Sequence, residues 1–193
     1  MTSYFTTAEA RAARQRRFGQ RPSMEVLNES ASAKSATGFD VFLSHSSKDA
    51  DLVLGTMALL EDQGLKVYVD WVIDPQLDRS RVSPETARLL RERMGQCSSL
   101  VYMATSSAVM SKWMPWELGY FDGRKGEDKI AILPILERQH DGFAGQEYIG
   151  LYSVLRKHTM TDGIERVLVE DVGNRWKFAF ALPLNDGWRR YGA

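Results

Sequence analysis

The stretch FDVFLSHSSKD, residues 39–49, decides the fold. Its first part, FDVFLS, is rich in residues that favour a buried strand. The polar part that follows carries Ser46 and Asp49 at the spacing of a helix capping box. Apolar residues then recur at helical spacing, at Val53, Met57 and Leu60. A buried strand that runs directly into an amphipathic helix predicts an α/β fold with a parallel sheet.

The same alternation of strand and helix continues along the chain. Further strands are predicted at LKVYVDW (65–71), SSLVYMA (98–104) and KIAILPIL (129–136). Pro84 suits the first turn of one intervening helix, and Ser111 is the predicted N-cap of the next. The expected order is β-α-β-α-β-α-β, which gives three layers with a central parallel sheet between helices.

The region beyond residue 137 carries a weaker pattern. We expect a short helix in GLYSVLRK (150–157). Strands are predicted in ERVLVEDV (165–172) and in WKFAFAL (176–182), where apolar residues alternate along the second stretch. These elements would form a C-terminal extension of the domain.

Residues 1–36 differ in composition from residues 37–193 and are predicted to be an N-terminal helical arm and a linker. The arm is a helix over residues 7–17 that carries four arginines, Arg11, Arg14, Arg16 and Arg17. Two interpretations remain open. The helix is either a solvated basic surface or a self-assembly arm that contacts an acidic surface on a neighbouring copy.

Composition limits the classes of protein that the chain can belong to. Its formal net charge is zero, so nothing drives it as a whole toward nucleic acid or an anionic membrane. The single cysteine, Cys97, excludes an internal disulfide, and no apolar run is long enough to span a bilayer. The N-terminus lacks the apolar core of a signal peptide. We therefore expect a cytoplasmic protein with no nucleic-acid or membrane partner.

Candidate site residues follow from the predicted topology, because ligands of an open parallel sheet bind beyond the carboxyl ends of the strands. The first strand leads into Ser44, His45 and Ser46, and the second ends at Asp70 and Trp71. In SKWMPWELGYFDG (111–123), the helix after the third strand places one carboxylate, Glu117, on a face shared with Trp113 and Tyr120. Glu117 should point toward the same rim as the first two loops.

Simpler interpretations of these residues stay open at this point. A carboxylate near a helix start is commonly a partner for the helix dipole, and His45 at a strand end is commonly a hydrogen-bonding group. What favours a site is the aromatic neighbourhood of Glu117, because a charge buried among tryptophans needs a compensating partner. Asp70, Asp74 and Asp78 have no diagnostic metal spacing, and neither a zinc motif nor a glycine-rich phosphate loop is present.

At these residues the chain resembles the TIR (Toll/interleukin-1 receptor) domain family, over about residues 38–150. FDVFLSHSSKD is similar to the first signature box of that family, and VYVDW corresponds to its second strand and the contact loop after it. SKWMPWE resembles the Ser-x-Trp-Cys-x-x-Glu stretch of the enzymatically active members, with Met114 in place of the cysteine. The tail EYIGLYSVL is similar to bacterial stand-alone TIR proteins.

The resemblance implies a flavodoxin-like fold and cleavage of NAD at the nicotinamide–ribose bond. Glu117 matches the catalytic glutamate, Trp113 the aromatic residue of the same motif, and Trp116 a position where an aromatic residue is frequent. Ser44 to Asp49, including Lys48, match the loop that lines the nucleotide cleft. NAD is then a substrate, and neither a resident cofactor nor a metal is expected. The loop VIDPQLDRSRVSP lacks the family's usual Arg-Asp-x-x-Pro-Gly.

Two classes of function remain. One is an NAD glycohydrolase or ADP-ribose cyclase, in which an ionised carboxylate stabilises positive charge on the ribose and nearby aromatic rings stack on the substrate. Among bacterial relatives this activity implies antiphage signalling, activation by self-association, and a separate sensor or effector protein. The other is a non-catalytic TIR scaffold that recruits partners. A phosphate-accepting receiver domain is disfavoured, because Ser44 and His45 stand where such a domain has an acidic pair.

Overall fold

The strands form one mixed sheet in which a parallel centre carries an antiparallel edge. A computed structural model describes residues 2–21, 38–74, 83–139, 141, 147–161, 163, 165–170, 178–180 and 189–190. The parallel strands are β3 (Phe39–Ser44), β4 (Val67–Tyr68), β5 (Cys97–Ala104), β6 (Ile130–Leu136) and β7 (Ser153–Thr159). Their spatial order is β4-β3-β5-β6-β7. This is the flavodoxin-like order 2-1-3-4-5, so the predicted α/β class is confirmed.

Helices cover the sheet because each parallel connection must cross over one of its faces. They are α1 (Thr7–Phe18), α2 (Ala50–Glu61), α3 (Asp70–Ile73), α4 (Pro84–Gln96) and α5 (Trp113–Lys125). Connections between parallel strands are right-handed, so the direction in which the chain moves across the sheet decides which face the connecting helix covers. The chain moves one way from β3 to β4 and the opposite way from β4 to β5 and β6. The helix α2 therefore lies on one face, and α4 and α5 lie on the other. The core between these layers includes fully buried Leu100, Val101 and Ile132. Each such side chain contributes about 1.5–3 kcal/mol by its burial.

The edge beyond β7 is antiparallel. The strands β8 (Glu165–Glu170), β9 (Phe178–Phe180) and β10 (Arg189–Arg190) follow β7 in that order. The two strands predicted near the C-terminus are thus present. The helix predicted for GLYSVLRK is wrong, because Glu147–Leu151 forms a short 3-10 turn and β7 starts at Ser153.

The strand predicted over 65–71 is also shorter than expected. Only Val67–Tyr68 pairs with β3, and Asp70 opens the short helix α3. The side chain of Asp70 accepts a hydrogen bond from the Trp71 amide at 2.9 Å, which favours the turn over a continued strand. Asp70 and Trp71 therefore lie in a helical turn beyond the strand end.

The N-terminal segment is built into the sheet before it reaches α1. β1 (Thr2–Ser3) pairs antiparallel with Lys157 and His158 of β7, and β2 (Phe5–Thr6) pairs parallel with the end of β6. The β6–β7 pairing covers only the start of β7, so β1 and β2 occupy the space where these two strands diverge.

The N-terminal helix is present where the sequence predicts it, and its exposed arginines agree with a solvated basic surface, whereas contact with a neighbouring copy stays a prediction. Ala10 and Ala13 are fully buried against α2, so the helix is not solvated on all sides. Its arginines meet an acidic surface of the same chain: Arg16 and Arg17 bond to Asp62 and Glu61 at the end of α2. The predicted boundary between residues 36 and 37 lies outside the described residues and stays a prediction.

Candidate functional site

Glu117 and Ser44 form a hydrogen bond at the carboxyl end of β3. The Ser44 hydroxyl donates to Glu117 Oε2 at 2.6 Å, and both side chains are completely buried. A distance this short is typical of an O–H donor to an ionised carboxylate. The two residues are 73 positions apart in the chain. The topology therefore assembles this pair at the point where the order of the parallel strands reverses, between β3 and β5.

The start of α5 explains how a carboxylate comes to be buried there. The Ser111 hydroxyl accepts the Met114 amide at 3.3 Å, although the N-cap position is Lys112, one residue later than predicted. Pro115 is exposed in the first turn. Trp113, Glu117 and Phe121 are buried at one-turn spacing, so the inward face of the helix carries the carboxylate among apolar groups. Glu117 is not an exposed partner of the helix dipole.

Tyr102 lies beside this pair on the neighbouring strand. It is the register partner of Ser44 in the β3–β5 ladder, so the two side chains leave the sheet on the same face. Its ring is fully buried. Burial raises the pKa of the Tyr102 hydroxyl, and Tyr148 and the negative charge of Glu117 raise that pKa further. Tyr102 thus stays neutral and in the electrostatic range of the buried carboxylate.

His45, Asp70 and Trp71 form a second cluster next to the first. His45 Nδ1 lies 2.8 Å from the carbonyl oxygen of Leu43, which assigns the ring proton to Nδ1. His45 Nε2 accepts a hydrogen bond from the Trp71 indole and lies 3.4 Å from Asp70 Oδ1. His45 and Asp70 are each 1% exposed. The cluster fastens α3 to the end of β3, in agreement with the hydrogen-bonding interpretation of His45.

The loop between β3 and α2 is held in place at both ends. The Ser46 hydroxyl accepts the Lys48 amide, and Asp49 accepts the hydroxyl of Thr105 at 2.6 Å. The predicted capping box between Ser46 and Asp49 is therefore wrong, because Asp49 instead connects this loop to the one after β5. The Lys48 side chain is exposed.

The aromatic residues of α5 divide into two groups. Trp113 is buried beside the helix start and meets Trp116 edge-on at 5.4 Å. Trp116 stacks on Tyr120 at 5.7 Å, and both lie under the guanidinium of Arg91 from α4, at 5.2 and 5.9 Å. Trp116 and Tyr120 are only partly buried. They form a stack between α4 and α5, next to the inward face that carries Glu117.

Two residues of this region were missed by the sequence interpretation of the site. Tyr102 has no local signal, since a tyrosine inside an apolar strand is typical of any core. Arg91 enters only through its contact with Trp116, which lies on another helix. The known strand order would have pointed to Tyr102, because it lies directly across from Ser44.

The described residues hold no group of three or more potential metal ligands. Asp74, one of the three weighed aspartates, forms a two-pronged ion pair with Arg93 at 2.7 Å and accepts the Tyr68 hydroxyl at 2.8 Å. Its carboxylate is thus committed to the structure. Asp78 lies outside the described residues. In the part of the chain that the structure describes, no helix is long and apolar enough to cross a membrane.

Comparison with known proteins identifies relatives for this arrangement. A TIR domain family model matches residues 41–168. The chain is 51% identical over 128 residues to "Probable 3' cyclic ADP-D-ribose synthase ThsB'" of Bacillus cereus (strain MSX-D12), which covers 66% of this chain and 65% of that protein. It is 31% identical over 93 residues to "Putative cyclic ADP-D-ribose synthase TIR2" of Cytobacillus dafuensis, covering 48% of this chain and 24% of that protein.

The chain therefore spans just under two thirds of the length of the first relative, 65%, and 24% of the second. A solved diflavin flavoprotein from Nostoc sp. matches 56% of this chain and 66% of its own at 19% identity. Its TM-score of 0.30 is too low to carry an argument about this chain.

Proposed function

The chain belongs to the TIR domain family, and from that premise we propose that it cleaves the bond between nicotinamide and ribose in NAD, with Glu117 as the catalytic residue. The observation that carries the proposal is the completely buried Glu117 carboxylate, bonded to Ser44 at the switch point of the sheet. A protein that needed only a helix-start acid would gain nothing from burying it, because desolvation of a charge is costly. A functional role accounts for that cost.

The chemistry asks little of the protein besides this carboxylate. Nicotinamide in NAD is a cationic leaving group, so it departs with the electron pair of the glycosidic bond and needs no general acid. Positive charge then develops on the ribose, as in other glycosyl transfers. Glu117 stabilises that charge and holds the ribose hydroxyls, and its low-dielectric surroundings strengthen the interaction.

The remaining predicted residues support binding of the substrate. Ser46, Lys48 and Asp49 lie in the loop that would face the nucleotide, and the exposed Lys48 is suited to its phosphates. Trp113, Trp116 and Tyr120 would offer ring surfaces for stacking. A structural contribution comes from His45, Asp70 and Trp71. Their contacts with one another hold the loop after β4 against the end of β3.

Cyclisation is the preferred outcome of the reaction. Once nicotinamide has left, either water or a group of the same molecule attacks the ribose carbon, giving ADP-ribose or a cyclic isomer. The names of both relatives, as cyclic ADP-D-ribose synthases, support the cyclic product. A completely buried carboxylate is consistent with this, because excluding water from the site suppresses hydrolysis.

The biological setting we propose is a cytoplasmic, antiphage signalling enzyme. It would be activated by self-association of TIR domains and by a separate sensor or effector protein. A non-catalytic TIR scaffold is the alternative function, and the exposed Val109 and Met110 beside the start of α5 are the observation that favours an interaction surface.

The deciding experiment incubates the purified protein with NAD across a concentration series. Chromatography measures nicotinamide release, and mass spectrometry identifies the nucleotide, since the cyclic product is lighter than ADP-ribose by one water. We expect nicotinamide and a cyclic nucleotide, with turnover per molecule rising as the protein becomes more concentrated. A constant turnover per molecule would exclude activation by self-association. No release at any concentration would leave the scaffold function.

A further inference from the structure

We propose that Ser44 is a positioning residue for Glu117, which holds the carboxylate ionised and fixes its orientation. The proposal rests on the proposed NAD cleavage. Ser44 does not need to touch the substrate for this role, because it acts on Oε2 of Glu117 at 2.6 Å.

The geometry makes Ser44 well suited to orient another side chain. It is the last residue of β3, and its backbone is fixed by pairing with Tyr102 of β5. Serine has one side-chain torsion, so a hydroxyl that starts from a rigid strand and donates to one carboxylate oxygen leaves little rotational freedom to that carboxylate. The carboxylate group is thereby held in a constant orientation.

The same hydrogen bond controls the charge of Glu117. Burial alone disfavours the ionised form of a carboxylate, whereas donation of a hydrogen bond to an oxygen favours it. Tyr102 on β5 lies in the electrostatic range of Glu117, with Tyr148 beside Tyr102. Burial raises the pKa of Tyr102, so this phenol is neutral near neutral pH. Loss of the Ser44 hydroxyl should therefore raise the pKa of Glu117.

The chain offers a matched control in Ser99. Ser99 is also completely buried, and it lies on the adjacent strand β5. Its hydroxyl has no hydrogen-bond partner among the residues that the structure describes. Ser99→Ala thus removes a buried hydroxyl from the same sheet without touching Glu117.

The first test is kinetic and uses the pH dependence of kcat/KM for NAD. In Ser44→Ala we expect the acidic limb of the kcat/KM profile to shift to higher pH by about one unit, because the ionised carboxylate has lost a hydrogen-bond donor. We expect kcat to fall about 10- to 100-fold, with a smaller change in KM, since orientation of the carboxylate is lost. Ser99→Ala should keep the acidic limb of the native protein. An unchanged limb in Ser44→Ala, or an equal shift in Ser99→Ala, would overturn the proposal.

A second pair of variants excludes an effect of packing. Thr and Val have nearly the same shape, so Ser44→Thr and Ser44→Val add the same crowding and differ mainly in the hydroxyl. Ser44→Thr should retain the native acidic limb, and Ser44→Val should show the limb of Ser44→Ala. Identical profiles for Thr and Val would contradict the positioning role.

A readout without turnover separates this proposal from the proposed function. Carbon-13 NMR of glutamate-labelled protein follows the side-chain carboxyls, and Glu117→Gln assigns the Glu117 signal. We expect the Glu117 pKa to be higher in Ser44→Ala than in the native protein, even if no variant releases nicotinamide. A higher pKa without any release of nicotinamide would refute the NAD reaction but support the effect of Ser44 on Glu117. An equal Glu117 pKa in the native protein and in Ser44→Ala would refute the role of Ser44.

Discussion

A buried carboxylate surrounded by apolar and aromatic side chains is the residue-scale feature from which the proposed activity follows. The sequence motif locates Glu117 on the inward face of α5, and the structure supplies its partner from a strand 73 residues away. No local pattern could predict that partner, because it depends on which strand lies beside which. The sequence nevertheless predicts Ser44 as a site residue, because ligands of an open parallel sheet bind beyond the carboxyl ends of its strands.

The ion pair between Arg93 and Asp74 gives a prediction at the same scale. Asp74 is 5% exposed and is bonded to both Arg93 and Tyr68. Arg93→Ala leaves this charge without its cation, and we expect a loss of about 3 kcal/mol in the free energy of unfolding. Urea denaturation followed by circular dichroism measures it.

The control for Arg93 is another arginine of α4. Arg88 forms an exposed pair with Glu92, with 76% and 53% of the two side chains exposed. Arg88→Ala should cost about 0.5 kcal/mol or less. Equal losses in the two variants would show that burial of the Asp74 pair has no energetic consequence.

At the scale of elements, predictions from local sequence held where local signals dominate. Three predicted elements with clear local signals are present. They are the first strand, with its run of apolar residues, and the helices after Pro84 and around Glu117, with their caps and periodicity. The helix predicted for GLYSVLRK is wrong because this stretch forms a strand that is stabilised by pairing with β6 and β8, which are separate segments of the chain. The prediction for the end of the second strand was wrong because the chain enters a helical turn at Asp70, where the Asp70 side chain accepts a hydrogen bond from the Trp71 amide.

The close packing of α1 on α2 gives a prediction at this scale. A Cβ added to Gly55 would lie 1.9 Å from the carbonyl oxygen of Ala10, so α1 would have to move away. We expect Gly55→Ala to lower the free energy of unfolding by about 1–3 kcal/mol, as other overpacked cores do. Urea denaturation at a fixed pH gives the value.

Gly119 of α5 provides the opposite case for the same substitution. Apart from its chain neighbours and the nearby backbone of α5, no atom of the described residues lies within 4 Å of a Cβ added there. Gly119→Ala should therefore raise stability, by up to about 1 kcal/mol, through helix propensity alone. If both variants were stabilised, the contact between α1 and α2 would not be present in solution.

At the scale of the whole molecule, the N-terminal segment connects distant parts of the sheet. Composition indicated an N-terminal helix and linker, and the structure places α1 on α2 and its preceding strands against β6 and β7. Glu9 is central to this connection. It completes the capping box with Thr6 and forms an ion pair with the buried Lys157.

The Glu9 carboxyl predicts how this connection depends on pH. Burial raises the pKa of Glu9, but hydrogen bonds from Lys157 and Thr6 outweigh it, and the pKa ends below its ordinary value of 4.5. A lowered folded-state pKa stabilises the protein above the unfolded-state pKa, and this stabilisation is lost as pH falls through the folded-state pKa. The stability difference between the native protein and Glu9→Gln should therefore shrink from pH 6 to pH 3.

Urea midpoints measured at intervals across this range test the prediction. Glu92→Gln is the control, since Glu92 lies in an exposed pair on α4 and should show little pH-dependent difference from the native protein. A difference between native protein and Glu9→Gln that stayed constant down to pH 3 would be inconsistent with an ionised Glu9 holding the N-terminal segment.

We propose that the buried carboxylate of Glu117 performs the reaction, and a comparison of three proteins tests this role. Nicotinamide release from NAD is measured for the native protein, for Glu117→Gln and for Glu127→Gln, an exposed glutamate just beyond α5. We expect Glu117→Gln to lose about 1,000-fold in kcat with an unchanged fold, because a neutral amide cannot stabilise the developing charge, and Glu127→Gln to match the native protein. A Glu117→Gln variant that released nicotinamide at the native rate would contradict a catalytic role of Glu117.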